Sequence, residues 1–167
     1  MKTVEKVAEF MRERSLMLVT AESCTAGLIA ATLADIPGAG KLLDCAFVVY
    51  SPQAKQACLA VKQETLERYN LTSEEVAREM ALGALDNSRA NVAVSNTGVT
   101  DDTDDKIPAG TQCFAWAFAT NAPGASPAIF TETRRFSGDR IQIRQASADY
   151  ALSRIPHYFA ARTATAA

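Results

Sequence analysis

Short apolar runs alternate with helix-like repeats along the first part of this chain, and this alternation constrains the fold more than any other feature. Residues 4–11 carry apolar side chains at the i, i+3, i+4, i+7 spacing of one buried helix face, and an apolar run of strand length follows at 16–20. A second helical repeat covers residues 24–35 and ends at Pro37-Gly38. Strands that alternate with helices in this way favour a sheet covered by helices.

The next apolar run, at residues 45–50, is nearly continuous and predicts a strand that is buried on both faces. Ser51 and Pro52 fit the N-cap and the first position of a helix that continues to about residue 59. Residues 72–75 form a capping box, which predicts the start of a further helix.

The later strands are predicted to pair directly with one another. They are at 92–95, 110–119 and 128–135. The turn-rich segment 121–125 contains Pro and Gly, so it predicts a hairpin between the last two strands.

The last predicted helix is capped by Ser137 and is ended or kinked by Pro156. Its apolar side is expected to carry Ile141, Ala148, Leu152 and Ile155. Together the elements predict one α/β domain over residues 1–167, a three-layer α/β/α sandwich with a mixed β-sheet. The chain after about residue 162 contains only Thr and Ala and is predicted to be disordered.

The charge balance and the apolar runs exclude several functional classes. The 167 residues include 17 Lys and Arg against 19 Asp and Glu, so the net charge of −2 provides no cationic field to hold a nucleic acid. The apolar stretch around 114–119 is far too short to span a bilayer. Charged residues at positions 2, 5, 6 and 9 do not fit a signal peptide. We therefore expect a cytoplasmic protein without nucleic-acid or membrane partners.

The four cysteines and the single histidine argue against a metal site. Cys24, Cys45, Cys58 and Cys113 are widely spaced without a Cys-x-x-Cys pair, and His157 is the only histidine. A structural zinc site would need almost all of these side chains. We therefore expect free, mostly buried thiols and neither a metal nor another cofactor.

The sequence Thr-Ala-Glu-Ser-Cys-Thr-Ala-Gly at 20–27 lies at a predicted strand-to-helix junction. Backbone N–H groups at the start of a helix have no partner within the helix, so they bind anions or developing oxyanions. Ser23 could be a helix N-cap, a phosphate ligand or a nucleophile, and the local pattern alone favours the cap, because serine is among the commonest caps. Gly27 permits a backbone or a ligand to approach the first turn closely.

A second polar motif, Tyr50-Ser51-Pro52-Gln53-Ala54-Lys55, follows an apolar strand. Ligands of open α/β sheets bind beyond the carboxyl ends of the strands, where Ser23 and Tyr50 are both predicted to lie. Lys55 comes about one helical turn after the predicted cap and would point back toward this edge. Desolvation would lower the pKa of Lys55, and the neutral amine could then take the proton of Ser23. A solvated, exposed lysine is the alternative interpretation.

These two motifs resemble those of the CinA C-terminal domain family. The similarity covers 20–27, 47–51 and 54–55, and it continues in the family's order through position 61, 64–66, 73–77, 79–81, 83–85 and 138–140. It extends from about Val4 to Leu152. The resemblance implies a three-layer α/β/α fold and a homo-oligomer. Stand-alone members of the family are nicotinamide mononucleotide deamidases, which hydrolyse the carboxamide to the acid and release ammonia.

The resemblance also implies roles for individual residues. Ser23 would be the acyl-accepting nucleophile, Lys55 would be its base, and Tyr50 would orient or polarise this dyad. Backbone groups near Cys24 and Thr25 would form the oxyanion hole, so no metal is needed. The residues expected to bind a small nucleotide substrate are Thr25, Gly27, Thr97, Gly98, Arg140 and Arg144.

Arg140 and Arg144 are one helical turn apart on one face of the last predicted helix. A cation in the first turn of a helix is disfavoured unless an anion lies nearby. That anion is either a substrate phosphate, which suits a guanidinium, or the side chain of Asp139.

Residues 98–111 depart from the family pattern. Deamidases of the family have a Gly-x-Ala-Gly-Pro stretch in a slightly longer loop here, whereas this chain has aspartates at 101, 102, 104 and 105. If this loop lies over the pocket, it would repel a phosphorylated substrate or require a cation; a solvated acidic loop is the other interpretation. A smaller departure is Ala26, where the family usually has glycine. The altered loop leaves a second function open, a catalytically inactive paralogue that binds a nucleotide or serves as an assembly module.

Overall fold

A computed structural model describes residues 1–164 of the chain. The disorder predicted after about residue 162 concerns mainly residues 165–167, which lie outside the described residues. The helices are α1 (Thr3–Glu13), α2 (Leu28–Ala34), α3 (Pro52–Leu59), α4 (Gln63–Arg68), α5 (Glu74–Asp86), α6 (Arg140–Ser153) and α7 (Ile155–Ala161), with a short 3₁₀ turn at Ala39–Lys41. The strands are β1 (Leu18–Glu22), β2 (Leu43–Val48), β3 (Val92–Gly98), β4 (Thr111–Phe118) and β5 (Ala128–Arg135).

The five strands form one mixed sheet in the order β2-β1-β3-β4-β5. Strand β1 is parallel to both β2 and β3, whereas β4 is antiparallel to both β3 and β5. The predicted mixed sheet and the predicted β4–β5 hairpin are therefore confirmed. Because β1, β2 and β3 are parallel, their carboxyl ends meet at one edge of the sheet, where a ligand site is expected.

Different helices cover the two faces of the sheet, which confirms the predicted three-layer α/β/α sandwich. Successive residues of β1 point to opposite faces, so Leu18 packs with α1, α2, α6 and α7, while Val19 packs with α3 and α5. Trp116 of β4 is completely buried on the first face, and Met80 of α5 is completely buried on the second. Each face therefore has its own apolar core.

Strand β2 differs from its prediction because it lies at the edge of the sheet. It pairs with β1 alone among the described strands, and its side chains are only partly buried or exposed. The apolar run at 45–50 therefore does not mark a strand buried on both faces, and the side chains of Val48 and Tyr50 are 52% and 54% exposed.

Two helices begin at other residues than predicted. Helix α2 starts at Leu28, later than predicted, because Ala26 and Gly27 adopt left-handed conformations with φ of 49° and 95°. The left-handed conformation favours glycine, so Ala26 adopts a backbone conformation that is unusual for a residue with a Cβ. Helix α6 is capped by Asp139 rather than by Ser137, and Asp139 accepts a hydrogen bond from the N–H of Gln142.

Other local predictions have mixed outcomes. Ser51 caps α3 as predicted, and α5 starts at the predicted capping box, but its N-cap is Ser73, one residue later than the box pattern places it. Ser51 and Ser73 each accept a hydrogen bond from the N–H three residues later. Ile141, predicted to be buried, is 67% exposed. Pro156 lies in the first turn of α7, which is an element that the sequence did not predict, as is α4.

No helix within residues 1–164 combines the length and the apolar character that a membrane crossing requires.

Candidate active site

A cavity of about 340 Å³ lies beyond the carboxyl ends of the three parallel strands. Ser23 follows β1, Tyr50 follows β2, and Gly98 is the last residue of β3. The cavity is lined by Ser23, Cys24, Tyr50, Lys55, Asn70, Leu71, Thr72, Thr97, Gly98, Val99, Thr100, Asp101, Thr103, Asp104 and Arg140. The sheet topology therefore brings together residues that are far apart in sequence.

The side chain of Lys55 is directed at Ser23 from the first turns of α3. Its Nζ lies 3.1 Å from Oγ of Ser23, 2.9 Å from the carbonyl oxygen of Tyr50 and 3.1 Å from that of Val49. Lys55 is only 1% exposed, so the solvated lysine is the wrong interpretation. The cap at Ser51 fixes where α3 begins and hence where Lys55 points.

Burial lowers the pKa of Lys55 from 10.5 to about 8, because a buried ammonium loses its hydration. The three partners of Nζ are a hydroxyl and two carbonyls, so none of them carries a charge that would stabilise the ammonium. A neutral amine fits the same geometry, with two N–H groups on the carbonyls and its lone pair toward the Ser23 hydroxyl. The arrangement therefore suits a lysine that accepts the proton of a serine.

Glu22, immediately before Ser23, has a role in the site that the sequence pattern did not indicate. Its side chain is completely buried, and its two oxygens accept five hydrogen bonds. The donors are the hydroxyls of Thr20 and Thr25 and the N–H groups of Gly27, Ile29 and Ala30. Glu22 thus accepts the hydrogen bonds of the N–H groups at the start of α2. The hydroxyl of Ser23 is therefore not needed as a helix cap and is available as a nucleophile.

This arrangement corrects two expectations about the start of α2. Ser23 is not its N-cap, because the helix begins later and Glu22 accepts its free N–H groups. Thr25 and Gly27 do not hold a substrate anion either, because their donors are turned to Glu22 and away from the cavity.

Asn96 and Gln112 hold the chain on the inner side of Ser23. Asn96 is completely buried; its side-chain oxygen accepts from the N–H of Thr25, and its amide donates to Gln112. The N–H of Thr25 is therefore not available to an oxyanion. Among the described residues, the N–H of Cys24 has no hydrogen-bond partner, and it is the group next to the nucleophile that commonly stabilises an oxyanion.

Cys24 is a poor nucleophile in this environment. Burial raises the pKa of its thiol, although a hydrogen bond from Gln112 and the nearby Arg140 and Arg144 act in the opposite direction. A thiol with a raised pKa carries less thiolate, which is the reactive form. Ser23, rather than Cys24, is thus the candidate nucleophile.

The two arginines of α6 have different environments. Arg144 donates to the carbonyl oxygens of Cys24 and Thr25 and does not line the cavity, so it supports the turn behind Ser23 instead of contacting a ligand. Arg140 does line the cavity, and its Nη1 donates to Oγ1 of Thr100 at 2.6 Å and to Asp101 at 2.9 Å. The carboxylate that pairs with Arg140 is thus that of Asp101 and not that of Asp139.

The acidic loop forms part of the cavity wall. Asp101 and Asp104 line the cavity, whereas Asp102 and Asp105 do not. A hydrogen bond from the side chain of Asn70 and two from backbone N–H groups hold the pKa of Asp104 below its usual value.

The structure therefore brings together most of the predicted site. Ser23, Tyr50, Lys55, Thr97, Gly98 and Arg140 line one cavity, whereas Thr25, Gly27 and Arg144 do not. The hydroxyl of Thr97 donates to the carbonyl of Leu71. Thr97 would therefore contact a ligand through atoms other than this hydroxyl. Within residues 1–164, no three His, Cys, Asp or Glu side chains are grouped to hold a metal ion.

Comparisons with a family model, with known proteins and with solved structures all find CinA-type or competence-damage proteins. The model of the CinA C-terminal domain matches residues 1–159. The nicotinamide-nucleotide amidohydrolase PncC of Escherichia coli K12 is 36% identical over 165 residues, which are 98% of this chain and 96% of that protein. A protein of Symbiobacterium thermophilum that is named for competence-damage induction is 39% identical over 158 residues. The chain spans only 37% of that relative's length, although the match covers 92% of the chain.

Solved structures are similar over nearly the whole length of the chain. The competence damage-inducible protein A of Klebsiella pneumoniae superposes with a TM-score of 0.86 at 32% identity and covers 95% of both chains. A CinA superfamily protein of Escherichia coli superposes with a TM-score of 0.83 at 34% identity, covering 92% of this chain and 86% of the other.

Proposed function

Because the chain belongs to the CinA C-terminal domain family, we propose that it is an amidohydrolase that hydrolyses the carboxamide of a nicotinamide nucleotide or of a closely related amide. The products would be the carboxylic acid and ammonia. The observation that carries the proposal is the contact between the buried amine of Lys55 and the hydroxyl of Ser23 at the wall of a cavity. The name of the Escherichia coli relative supports the choice of substrate class.

The first step would be acylation of Ser23. Neutral Lys55 takes the hydroxyl proton while Oγ forms a bond to the amide carbon, and the carbonyl oxygen becomes an oxyanion. The N–H of Cys24 is the candidate donor to this oxyanion, a contribution of about 3 kcal/mol for one donor. When the C–N bond breaks, the ammonium of Lys55 returns its proton to the leaving nitrogen, which departs as ammonia.

The second step would be hydrolysis of the acyl-enzyme. Lys55, again neutral, takes a proton from a water molecule, and the resulting hydroxide attacks the ester carbon. The ester bond then breaks, Ser23 recovers its proton from Lys55, and the acid leaves. The carbonyls of Val49 and Tyr50 would keep the amine oriented in both steps.

The remaining residues of the cavity would hold the substrate. Tyr50 presents a half-exposed ring at the cavity, and a cationic pyridinium ring would stack favourably on it. Thr97, Gly98 and Arg140 would contact the sugar and its substituents. A cytoplasmic location and assembly into a homo-oligomer remain predictions.

Ammonia release from nicotinamide mononucleotide tests this function. Ser23→Ala and Lys55→Met are each expected to lower kcat/KM by at least about a thousandfold, because both remove a participant in acylation. Lys62→Met is the matched control, because Lys62 is exposed and does not line the cavity. Circular dichroism checks that the variants remain folded.

Two results would contradict the proposal. Undiminished ammonia release by Ser23→Ala would exclude the serine mechanism. Tight binding of pyridine nucleotides without release of ammonia from any amide would favour the second candidate, a binding module, for which the acidic loop at the cavity is the supporting observation.

A further inference from the structure

Arg140 is the only arginine among the described residues that line the cavity, and its charge is already paired. Its Nη1 donates to Asp101 at 2.9 Å and to the hydroxyl of Thr100, which in turn donates to Asp101 at 3.0 Å. The three side chains form a closed group at the cavity wall. A substrate phosphate that approached Arg140 would therefore meet the carboxylate of Asp101 as well.

The cavity contains a second carboxylate that is held in place. Asp104 accepts hydrogen bonds from Asn70 at 2.8 Å and from the N–H of Lys106 at 2.7 Å. When Lys55 is neutral, the charged side chains of the lining are Asp101, Asp104 and Arg140, so the wall carries one net negative charge. Such a wall attracts a cationic ring and repels a phosphate dianion.

The charge of Asp101 extends to the reactive side of the cavity. Burial is the main cause of the raised pKa of the Cys24 thiol, but Arg140 lowers this pKa and Asp101 raises it. The charges of Asp101 and Arg140 therefore both act on Cys24, the residue next to Ser23. Because the side chains of Asp101 and Arg140 are 55% and 54% exposed, their ion pair is expected to contribute little to the stability of the fold, so that a variant without it should remain folded.

We propose that Asp101 determines the charge specificity of this site: by pairing with Arg140 it makes the cavity favour pyridinium amides that lack a phosphate group over their phosphorylated counterparts. The inference rests on the proposed function, because it assigns the substrate class of the same cavity. The preferred substrate would be a cationic nucleoside amide.

The test compares nicotinamide riboside with nicotinamide mononucleotide, which differ only in the phosphate. The wild type is expected to hydrolyse the riboside with a kcat/KM at least equal to that for the mononucleotide. Asp101→Asn is expected to raise the preference for the mononucleotide about tenfold, the size expected for a unit charge acting on a dianion across roughly 6 Å of water.

Asp102→Asn is the matched control, because it removes the same formal charge from the same loop at an exposed residue that does not line the cavity. Its substrate preference is expected to change less than twofold. An unchanged preference in Asp101→Asn, or an equal change in both variants, would overturn the inference.

A binding measurement separates this inference from the proposed function. Titration calorimetry with Ser23→Ala, alone and combined with Asp101→Asn, gives the Kd of both compounds without turnover. If no variant releases ammonia but Asp101→Asn still shifts the Kd ratio about tenfold toward the mononucleotide, the proposed function fails and the charge specificity holds. If neither compound binds, or the ratio is unchanged, the charge specificity fails.

Discussion

At the scale of single residues, the site depends on a lysine in an unfavourable environment. Lys55 is buried against neutral groups, so its ammonium form is destabilised in the folded protein relative to the unfolded chain. The same desolvation that makes Lys55 a base near neutral pH therefore reduces the free energy of unfolding. Activity and stability are opposed at this one side chain.

This opposition predicts a specific dependence of stability on pH. The pKa of Lys55 falls from 10.5 to about 8 on folding, so the unfolded chain binds more protons between these values, and stability rises with pH across this window. Relative to Lys55→Met, the wild type is expected to gain about 3 kcal/mol of unfolding free energy between pH 8 and pH 10.5. Urea unfolding of both proteins at several pH values measures the difference.

Lys62→Met serves again as the control, because the side chain of Lys62 is exposed in the folded protein. A difference between the wild type and Lys55→Met that stays constant as the pH rises would mean that Lys55 is not desolvated.

Glu22 shows what local sequence patterns cannot reveal about the site. A serine before a helical repeat is typical of an N-cap, and Ser23 fits that pattern. The left-handed residues Ala26 and Gly27 shift the helix start, so Glu22 reaches its N–H groups instead. The prediction failed because the cap depends on two backbone conformations that no side-chain pattern specifies.

At the scale of elements, the position of Lys55 depends on close packing between α3 and α5. Gly83 of α5 lies against the end of α3: a Cβ there would be 2.0 Å from the carbonyl oxygen of Leu59. The neighbouring atoms belong to the backbone of α3 and cannot rotate away. Only glycine permits this approach, so a side chain at position 83 is expected to displace α3, the helix that carries Lys55.

Gly83→Ala is therefore expected to destabilise the protein by about 2 kcal/mol, whereas alanine in place of glycine normally stabilises a helix. Displacement of α3 should also lower kcat more than it raises KM. Thermal unfolding and steady-state kinetics measure the two effects. Gly40→Ala is the control, because a Cβ at Gly40 has no heavy atom within 4 Å. A stabilised, fully active Gly83→Ala protein would contradict this description of the packing.

The sequence predicts helices and strands well where apolar periodicity is strong. It predicts them poorly where tertiary contacts determine the position and burial of an element. The buried face of α1, the start of α5 near residues 72–75 and the β4–β5 hairpin are all confirmed. The apolar run of β2 suggested a central strand, but position in the sheet is set by the pairing of the other strands, and β2 lies at the edge. Burial of a strand on both faces depends on its neighbours, which a single run of residues does not contain.

At the scale of the whole molecule, Glu132 joins the sheet to the two last helices. It lies on β5 and accepts hydrogen bonds from Tyr150 of α6 and Tyr158 of α7, and it pairs with Arg154 at 3.1 Å. Burial raises the pKa of Glu132, but these hydrogen bonds, together with one from Arg134 and the charge of Arg154, outweigh burial and lower it to about 2. Because α6 carries Arg140, this cluster also supports one wall of the cavity.

Glu132→Gln is expected to lower the unfolding free energy at pH 7 by about 1–3 kcal/mol, because it removes charge-assisted hydrogen bonds. The pKa of Glu132 lies below its unfolded value of 4.5, so its contribution is fully present above pH 4.5 and is lost as the pH falls toward 2. The difference between the two proteins should therefore shrink over that range. Denaturant unfolding from pH 7 downward measures it, with exposed Glu9→Gln as the control.

The candidate site could be predicted in part because the fold itself could be predicted. Parallel strands bring Ser23, Tyr50 and Gly98 to one edge, which follows from strand order alone. Asn70, Asp101 and Asp104 reach the same cavity through loops whose paths no periodicity specifies. The reactive pair was thus foreseeable, whereas the sequence left open whether the acidic loop lies at the cavity or in solvent.

The pH dependence of kcat/KM for amide hydrolysis tests the central claim most directly, because Ser23 becomes reactive only when Lys55 has lost its proton. We predict that kcat/KM rises about tenfold for each pH unit below an apparent pKa of about 8 and then becomes constant. A profile that is flat from about pH 6 to pH 9 would contradict the account.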